Sequence, residues 1–281
     1  TVKELIRVAG WPTLMGSKLV DPDQRWDEDA PAVARLRESG AILLGQTTSS
    51  EYGHKGVTDS PLHGVTRNPW NTDMTPGGSS GGAAAAVAAG LGPLALGTDG
   101  GGSVRLPASF CGIFGLKGTF GRVAAWPPSL NGDLANTGPM ARTAEDAALM
   151  MNVIARPDPR DPWSLPEHDI DYPKKLKGRL RKLRVGLMLK FGNHPLDPEI
   201  ADLVPAAARH FEELGCHVEE AAPDLGGVDG RKTFGVHWLS YAQHLLKMYP
   251  GDRHGDFDPS LLVMAREGQK YSSADLVAAM A

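Results

Sequence analysis

Two loops rich in glycine and serine, with one helix and one strand between them, constrain the fold of this chain more than any other feature. The loops cover residues 77–82 and 97–103. The alanine run after the first loop predicts a tightly packed helix, and residues 93–97 predict a buried strand. A helix of about ten residues rises roughly 15 Å, and five or six strand residues return about as far. We therefore expect Ser79 and Ser103 to meet at one edge of a sheet.

The second loop has the composition of a backbone anion site. Glycine tolerates positive φ and lets a ligand approach the backbone closely, so the N–H groups of residues 100–103 could form a nest of donors. Such a nest suits either an oxyanion hole or a phosphate cradle, and ordinary tight turns remain the plainest alternative. Phosphate binding is disfavoured because neither loop ends in Gly-Lys-Ser/Thr or carries a suitable G-x-G-x-x-G pattern. A G-x-S-x-G nucleophile elbow is also absent.

Composition excludes several classes of function. The chain has 29 Lys and Arg against 33 Asp and Glu, a net charge of −4, which argues against direct nucleic-acid binding. Its two cysteines, Cys111 and Cys216, cannot form a disulfide scaffold, and no metal-ligand spacing appears. We expect a cytoplasmic protein without a metal. The longest small-apolar run, residues 83–96, is shorter than the roughly 18 residues of a membrane span, so no membrane association is expected.

The remaining pattern alternates helices and strands. Residues 46–78 lack periodicity and predict a long irregular loop, and residues 156–177, rich in Pro, Asp and Lys, predict a surface linker. Alternation of this kind is typical of an α/β layered fold. The sequence predicts helices over residues 27–39, 143–155, 198–214, 231–248 and 273–281, and strands over residues 41–45, 183–188 and 217–220.

Several ordered stretches resemble the amidase signature family. They are residues 2–3, 10–13, 66–70, 77–82, 97–108 and 115–117. The resemblance implies a mixed open β-sheet core with α-helices on both faces. Because enzymes of this family are considerably longer, we interpret residues 1–281 as a partial single amidase signature domain, truncated at its C-terminus. Its catalytic signature core would cover residues 1–155, and a linker and helix-rich remainder would cover residues 156–281.

The resemblance also implies a Ser–cisSer–Lys triad. It transfers to Ser103 as nucleophile, Ser79 as bridging serine and Lys3 as base, with a cis peptide bond between Gly78 and Ser79. A lysine base must be neutral, and burial away from water can lower its pKa by several units. The hydroxyl of Thr98 would support the bridge.

The loop before the nucleophile would supply the oxyanion donors. They fall on the backbone N–H groups of Gly100, Gly101, Gly102 and Ser103. We expect Asp99 to hold this loop and Arg105 to brace it, although Arg105 could instead bind an anionic substrate group. Four positions depart from the family pattern without removing a catalytic atom, namely Glu4, Ala83, Gly100 and Gly118.

Other polar residues receive structural interpretations. Ser80 is expected to cap the alanine helix, and Cys111 to fill a small buried space. Four histidines have no catalytic or metal-binding partner that the sequence pattern indicates. We interpret them as incidental surface or loop residues: His54, His63, His194 and His217.

We therefore expect hydrolysis of a small-molecule carboxylic amide through a serine acyl-enzyme, with no cofactor. A second interpretation is the glutaminase subunit of a tRNA-dependent amidotransferase, and a third is a catalytically silent family member. A homodimer is one assembly we consider, and the sequence leaves the oligomeric state open.

Overall fold

The computed structural model describes residues 1–178, 180, 182–190, 195–224 and 226–280. The strands are β1 (Val2–Lys3), β2 (Gln46–Thr47), β3 (Asp59–Ser60), β4 (Gly64–Val65), β5 (Leu94–Asp99), β6 (Phe114–Gly115), β7 (Asn136–Ala141), β8 (Arg184–Leu187) and β9 (His217–Glu220). The helices are α1 (Pro31–Glu38), α2 (Gly81–Ala88), α3 (Arg105–Cys111), α4 (Ala144–Ile154), α5 (Tyr172–Lys175), α6 (Pro198–Glu213), α7 (Gly230–Lys247), α8 (Pro259–Gly268) and α9 (Ser273–Met280).

A mixed five-stranded sheet forms the centre of the fold. Its strand order is β2-β1-β5-β7-β6, with β1 parallel to both β2 and β5, and β7 antiparallel to β5 and β6. Neighbouring residues of β5 point to opposite faces, as the pleat requires. Leu96 packs into a cluster with α1 and α4, and Ala95 packs into a second cluster with α2 and α3. Helices therefore cover both faces of the mixed sheet, which confirms the expected fold class.

Two parts of the sheet differ from the sequence-based expectation. The strand predicted at residues 41–45 forms instead at Gln46–Thr47, and Ile42 and Leu44 stay exposed. Only Gly45 of the predicted run joins the ladder, where its carbonyl accepts a hydrogen bond from the Val2 N–H. Strand β7 was not predicted because it contains Pro139, which has no N–H to donate to a sheet. The strand forms nevertheless, because β7 pairs with β5 on one side and with β6 on the other.

The chain divides into two compact units. The first contains residues 1–173 and 232–281, and the second contains residues 174–231. The second unit consists of β8, α6 and β9, with the two strands paired in parallel, which agrees with the predicted β-α-β order. The first division, after Pro173, lies within the predicted linker at residues 156–177, and the chain rejoins the first unit at Lys232, within α7.

A cluster of buried side chains joins the late helices of the first unit to its opening segments. Tyr241, Ala242 and Leu245 of α7 and Leu261 of α8 pack with Tyr52 and other apolar residues. This packing brings α7 beside the irregular loop predicted at residues 46–78. Within the described ranges, no helix is both long enough and apolar enough to span a bilayer.

Candidate active site

Lys3 lies on β1, inside the sheet, and contacts two hydroxyl groups. Its side chain is completely buried. The Nζ atom donates to Ser79 Oγ at 2.7 Å and to Thr98 Oγ1 at 2.9 Å. Thr98 reaches this point because β5 pairs directly with β1. The sheet therefore joins residues that are 76 and 95 positions apart in the chain.

Burial makes Lys3 a usable base near neutral pH. Loss of hydration disfavours the ammonium form and lowers the pKa to about 7, although the negative charges of Asp99 and Glu4 partly oppose the shift. Glu4 is itself held by the Ser49 N–H at 2.8 Å and by the His63 ring at 2.8 Å. At neutral pH a large fraction of Lys3 is therefore unprotonated and able to accept a proton.

The first glycine loop carries Ser79 against a close backbone neighbour. The Gly78–Ser79 peptide bond is cis, as the resemblance implied. A side chain at Gly78 would start 2.6 Å from the carbonyl carbon of Val57, so only glycine fits there. Thr58 Oγ1 donates to the Gly77 carbonyl at 2.8 Å and accepts from the Gly81 N–H at 3.0 Å. The loop is thus fixed on both sides of Ser79.

Ser80 connects the two loops, and its predicted role as a helix cap is wrong. It occupies the N-cap position of α2, but its side chain makes no capping hydrogen bond. Its hydroxyl donates to the Thr98 carbonyl at 3.1 Å and accepts from the Thr98 N–H at 3.3 Å. The Ser80 N–H donates to the Ser103 carbonyl at 3.1 Å. The two loops therefore meet at the end of β5, as the spacing predicted.

Asp99 organises the second loop. Its buried carboxylate accepts hydrogen bonds from the Gly102 N–H at 2.7 Å and the Val104 N–H at 3.1 Å. Arg105 adds two side-chain hydrogen bonds at 2.8 and 2.9 Å. Burial would raise the pKa of Asp99, but the Arg105 guanidinium and the N–H donors outweigh it and hold the pKa below its usual value. Arg105 therefore braces the loop, which was the favoured interpretation.

One of the four expected oxyanion donors is already engaged. Because the Gly102 N–H donates to Asp99, it is not aimed at a substrate, and its inclusion among the donors was wrong. In the described part of the chain, the N–H groups of Gly100, Gly101 and Ser103 have no hydrogen-bond acceptor. These three groups are the donors that the loop leaves for a negatively charged oxygen.

The serines open into a cavity of about 400 Å³. Ser79, Thr98, Gly100 and Ser103 all line it, whereas Ser79 and Ser103 are themselves almost fully buried. The volume is in the range of small-molecule sites. No cluster of three or more His, Cys, Asp or Glu side chains that could hold a metal occurs among the residues described. The cavity thus presents the hydroxyls of Ser79 and Ser103 to a bound molecule, and the Lys3 amine contacts Ser79 from outside the lining.

Two residues near the site were missed or misread from the sequence. Gly53 lies directly beside Ser79, but it belongs to the aperiodic loop, where no pattern signals a contact. His54 was interpreted as incidental and is instead buried, with its ring nitrogens bonded to the Glu51 carbonyl and to Ser260 Oγ, each at 2.7 Å. Among the other histidines, His63 contacts Glu4, His217 is exposed, and His194 lies outside the described residues.

We expect Gly53→Ala to lower kcat by about 100-fold. Gly53 has φ +74°, which strains any other residue, and an added Cβ would lie 3.2 Å from Ser79 Oγ and 3.0 Å from Leu5 Cδ2. Displacing a catalytic group by about 1 Å costs on the order of 100-fold in rate. Steady-state kinetics measures the effect. Gly56→Ala is the matched control, because its added Cβ would meet only Leu106 at 3.6 Å. Equal rates for both variants would contradict the contact.

Known proteins share much of this sequence. The family model described as Amidase matches residues 1–277. The chain is 38% identical over 279 residues to an acylamidase of Rhodococcus erythropolis, covering 98% of the chain and 58% of that protein. It is 42% identical over 219 residues to a glutamyl-tRNA(Gln) amidotransferase subunit from Nitrosococcus oceani, covering 78% of the chain and 45% of that protein.

Solved structures give the same result. A 6-aminohexanoate cyclic dimer hydrolase complexed with substrate superposes with a TM-score of 0.89 at 31% identity, covering 99% of the chain and 61% of that structure. A bacterial aryl acylamidase of the amidase signature family superposes with a TM-score of 0.87 at 36% identity. That alignment covers 99% of the chain and 60% of the acylamidase structure. The chain thus spans roughly half to three fifths of its relatives, and a family match over nearly its whole length shows that it belongs to the amidase signature family.

Proposed function

We propose that this chain carries the catalytic centre of an amide hydrolase. The observation that supports the proposal most directly is the buried contact from Lys3 Nζ to Ser79 Oγ at 2.7 Å, beside the loop that carries Ser103. A neutral amine in contact with a hydroxyl is able to pass protons between that hydroxyl and a neighbouring nucleophile. Ser79, Thr98 and Ser103 also share the cavity in which an amide would bind.

In the proposed reaction, Ser103 Oγ attacks the amide carbonyl carbon and its proton moves through Ser79 to Lys3. The N–H groups of Gly100, Gly101 and Ser103 stabilise the oxygen that becomes negative. When the intermediate collapses, the C–N bond breaks and the amine leaves with a proton from Ser79, which Lys3 replaces. Water then hydrolyses the Ser103 ester by the same proton route, which regenerates the enzyme and releases the carboxylic acid.

A second candidate is the glutaminase subunit of a tRNA-dependent amidotransferase. It draws support from the 42% identity to such a subunit, although that alignment leaves out about a fifth of the chain. The alignment with the acylamidase covers nearly all of it. We therefore favour an amidase that acts without partner subunits on a small-molecule amide, and the catalytically silent member is the remaining alternative.

The experiment is to purify the full-length protein alone and to measure ammonia release from simple amides and from glutamine. We expect turnover of simple amides without any partner. Hydrolysis of glutamine alone, appearing only when the other components of an amidotransferase are added, would favour the second candidate. No turnover under either condition would favour a silent family member.

The proposal also includes a cytoplasmic location and direct action on a small molecule rather than on nucleic acid. Both cysteines, Cys111 and Cys216, are free thiols, as in proteins from reducing compartments.

A homodimer remains part of the proposal, and light scattering of the purified protein would test it.

A further inference from the structure

The cavity beside the serines is walled by six aromatic side chains. They come from distant parts of the first unit and line the cavity together: Trp26, Tyr52, Trp126, Trp238, Tyr241 and Tyr249. Three of the six tryptophans of the chain are thus found at this one site. So many large rings give an amide a broad apolar surface next to the reacting centre.

The polar atoms of the tryptophans are already bonded to the protein. The indole N–H of Trp26 donates to the Pro22 carbonyl at 2.9 Å, and that of Trp126 donates to Glu28 Oε2 at 3.2 Å. The indole N–H of Trp238 donates to the His54 carbonyl at 2.8 Å. These rings therefore offer carbon surface rather than hydrogen bonds to a molecule in the cavity.

The tyrosines show the same arrangement. The Tyr241 hydroxyl donates to the Tyr52 carbonyl at 2.6 Å, and the hydroxyls of Tyr52 and Tyr249 bond to each other. Because these hydroxyl groups are hydrogen-bonded within the protein, the faces of the rings are the surface available to a ligand. Together the six rings give the cavity an extensive apolar lining.

Charged groups in the wall do not suit a zwitterion. Among the lining residues only Arg7 and Asp99 carry charge, and Asp99 is occupied by Arg105 and by loop N–H groups. The ammonium and carboxylate of a free amino acid would need one partner each, since an unpaired buried charge is costly. The cavity thus lacks a free carboxylate for the ammonium group of glutamine.

Trp238 lines the cavity and packs against the second glycine loop. A Cβ built on Gly100 would meet its Cζ3 atom at 3.2 Å, so the indole occupies the space of a side chain at that loop position. The ring is held by its N–H bond to His54 and by stacking on Phe234, with centroids 5.0 Å apart. It is therefore fixed beside the first glycine of the proposed oxyanion loop.

We propose that Trp238 is the specificity-determining residue of this site and that the substrate is a neutral amide carrying a planar apolar ring. This inference rests on the proposed function and narrows it to ring-bearing amides. The ring of the substrate packs on the indole while its carbonyl oxygen faces the loop N–H groups.

The test compares kcat/KM for phenylacetamide, acetanilide, acetamide and glutamine in the full-length protein. We expect at least one ring-bearing amide to exceed acetamide by about 10-fold or more, and glutamine to be the poorest substrate. Trp238→Ala should reduce this preference by about 10-fold or more, whereas Trp238→Phe should keep most of it because a ring remains. Trp163→Ala is the matched control, since Trp163 is partly exposed but does not line the cavity.

A merely structural role for Trp238 would lower kcat/KM equally for acetamide and the ring-bearing amides, and that result would overturn the inference. A wild-type preference for acetamide or glutamine would also overturn it. Calorimetric binding of phenylacetamide to Ser103→Ala, compared with the same variant carrying Trp238→Ala, provides a readout without turnover. Suppose that the wild type hydrolyses none of the amides, while phenylacetamide binds more weakly to the double variant than to Ser103→Ala. That result would refute the proposed function and would support the ring-binding role of Trp238. Equal binding to both would refute the ring site alone.

Discussion

Ser103→Ala should lower kcat on the order of 10⁶-fold, the size of effect seen when a serine hydrolase loses its nucleophile. Without Oγ no acyl-enzyme forms, and the loop N–H groups and the cavity are left to polarise the bound amide for direct attack by water. A fluorophosphonate should therefore label the wild-type protein at Ser103 and fail to label the variant. Steady-state kinetics and mass spectrometry of the labelled peptide measure the two effects.

Ser109→Ala is the control for this result. Ser109 lies on α3, six positions after Ser103, and is exposed. It should keep wild-type turnover and labelling. Continued labelling of Ser103→Ala with the same stoichiometry would place the nucleophile at another residue and contradict the proposed reaction.

Lys3→Ala should lower kcat by about 10⁴-fold, at the upper end of the contribution of general acid–base catalysis. The same lysine predicts the pH dependence of the wild type. Its pKa lies near 7, and the neutral amine is the active form, so kcat/KM should rise as the pH increases through about 7. A kinetic pH profile between about pH 5 and 9 measures this ascending limb. Retained turnover in Lys3→Ala, or a flat profile, would remove Lys3 as the base.

Burial of Lys3 also predicts how stability changes with pH. In the unfolded chain this lysine holds its proton up to its usual pKa of 10.5, whereas in the folded protein it loses the proton above about 7. Unfolding therefore takes up a proton between these values, and the free energy of unfolding should rise across that window. The full contribution is about 5 kcal/mol, at about 1.36 kcal/mol for each pKa unit.

Urea unfolding of the wild type and of Lys3→Met at about pH 7 and pH 9.5 isolates this contribution. The free energy of unfolding of the wild type should rise relative to that of Lys3→Met as the pH increases. Above about pH 7 Lys3 is neutral in the folded protein, and the cost of removing the proton that the unfolded chain still holds falls with pH. Lys18→Ala, which changes an exposed lysine, should follow the wild type at both values. A pH-independent difference between the wild type and Lys3→Met would contradict the lowered pKa.

The sequence predicted the central part of the site because that part depends on local order. Residues 77–103 run as loop, helix, strand and loop, so β5 returns the chain to the end of α2 at which Ser79 lies, and the two loops meet there. Lys3 could be assigned only through the family resemblance, since nothing in residues 1–9 distinguishes a buried base from a solvated lysine. Its burial follows from the pairing of β1 with both β2 and β5.

Individual hydrogen bonds were less predictable. Ser80 has the sequence position of a helix cap and bonds to Thr98 instead, because β5 lies within reach of its hydroxyl. Gly102 is one of three consecutive glycines, and only the position of the Asp99 carboxylate distinguishes its N–H from those of Gly100, Gly101 and Ser103. Gly53 and the aromatic residues of α7 reach the site through packing over long sequence distances, which no local pattern records.

The sequence by itself determined that two serine loops flank one helix and one strand, and that the chain resembles a family with a lysine base. Those features depend on the periodicity and length of neighbouring segments, which a linear sequence expresses directly. Only the tertiary structure decided which N–H groups remain free, how strongly burial lowers the pKa of Lys3, and which rings line the cavity. Hydration, hydrogen-bond competition and side-chain packing depend on residues brought together in space, so they are set when the sheet and its covering helices assemble.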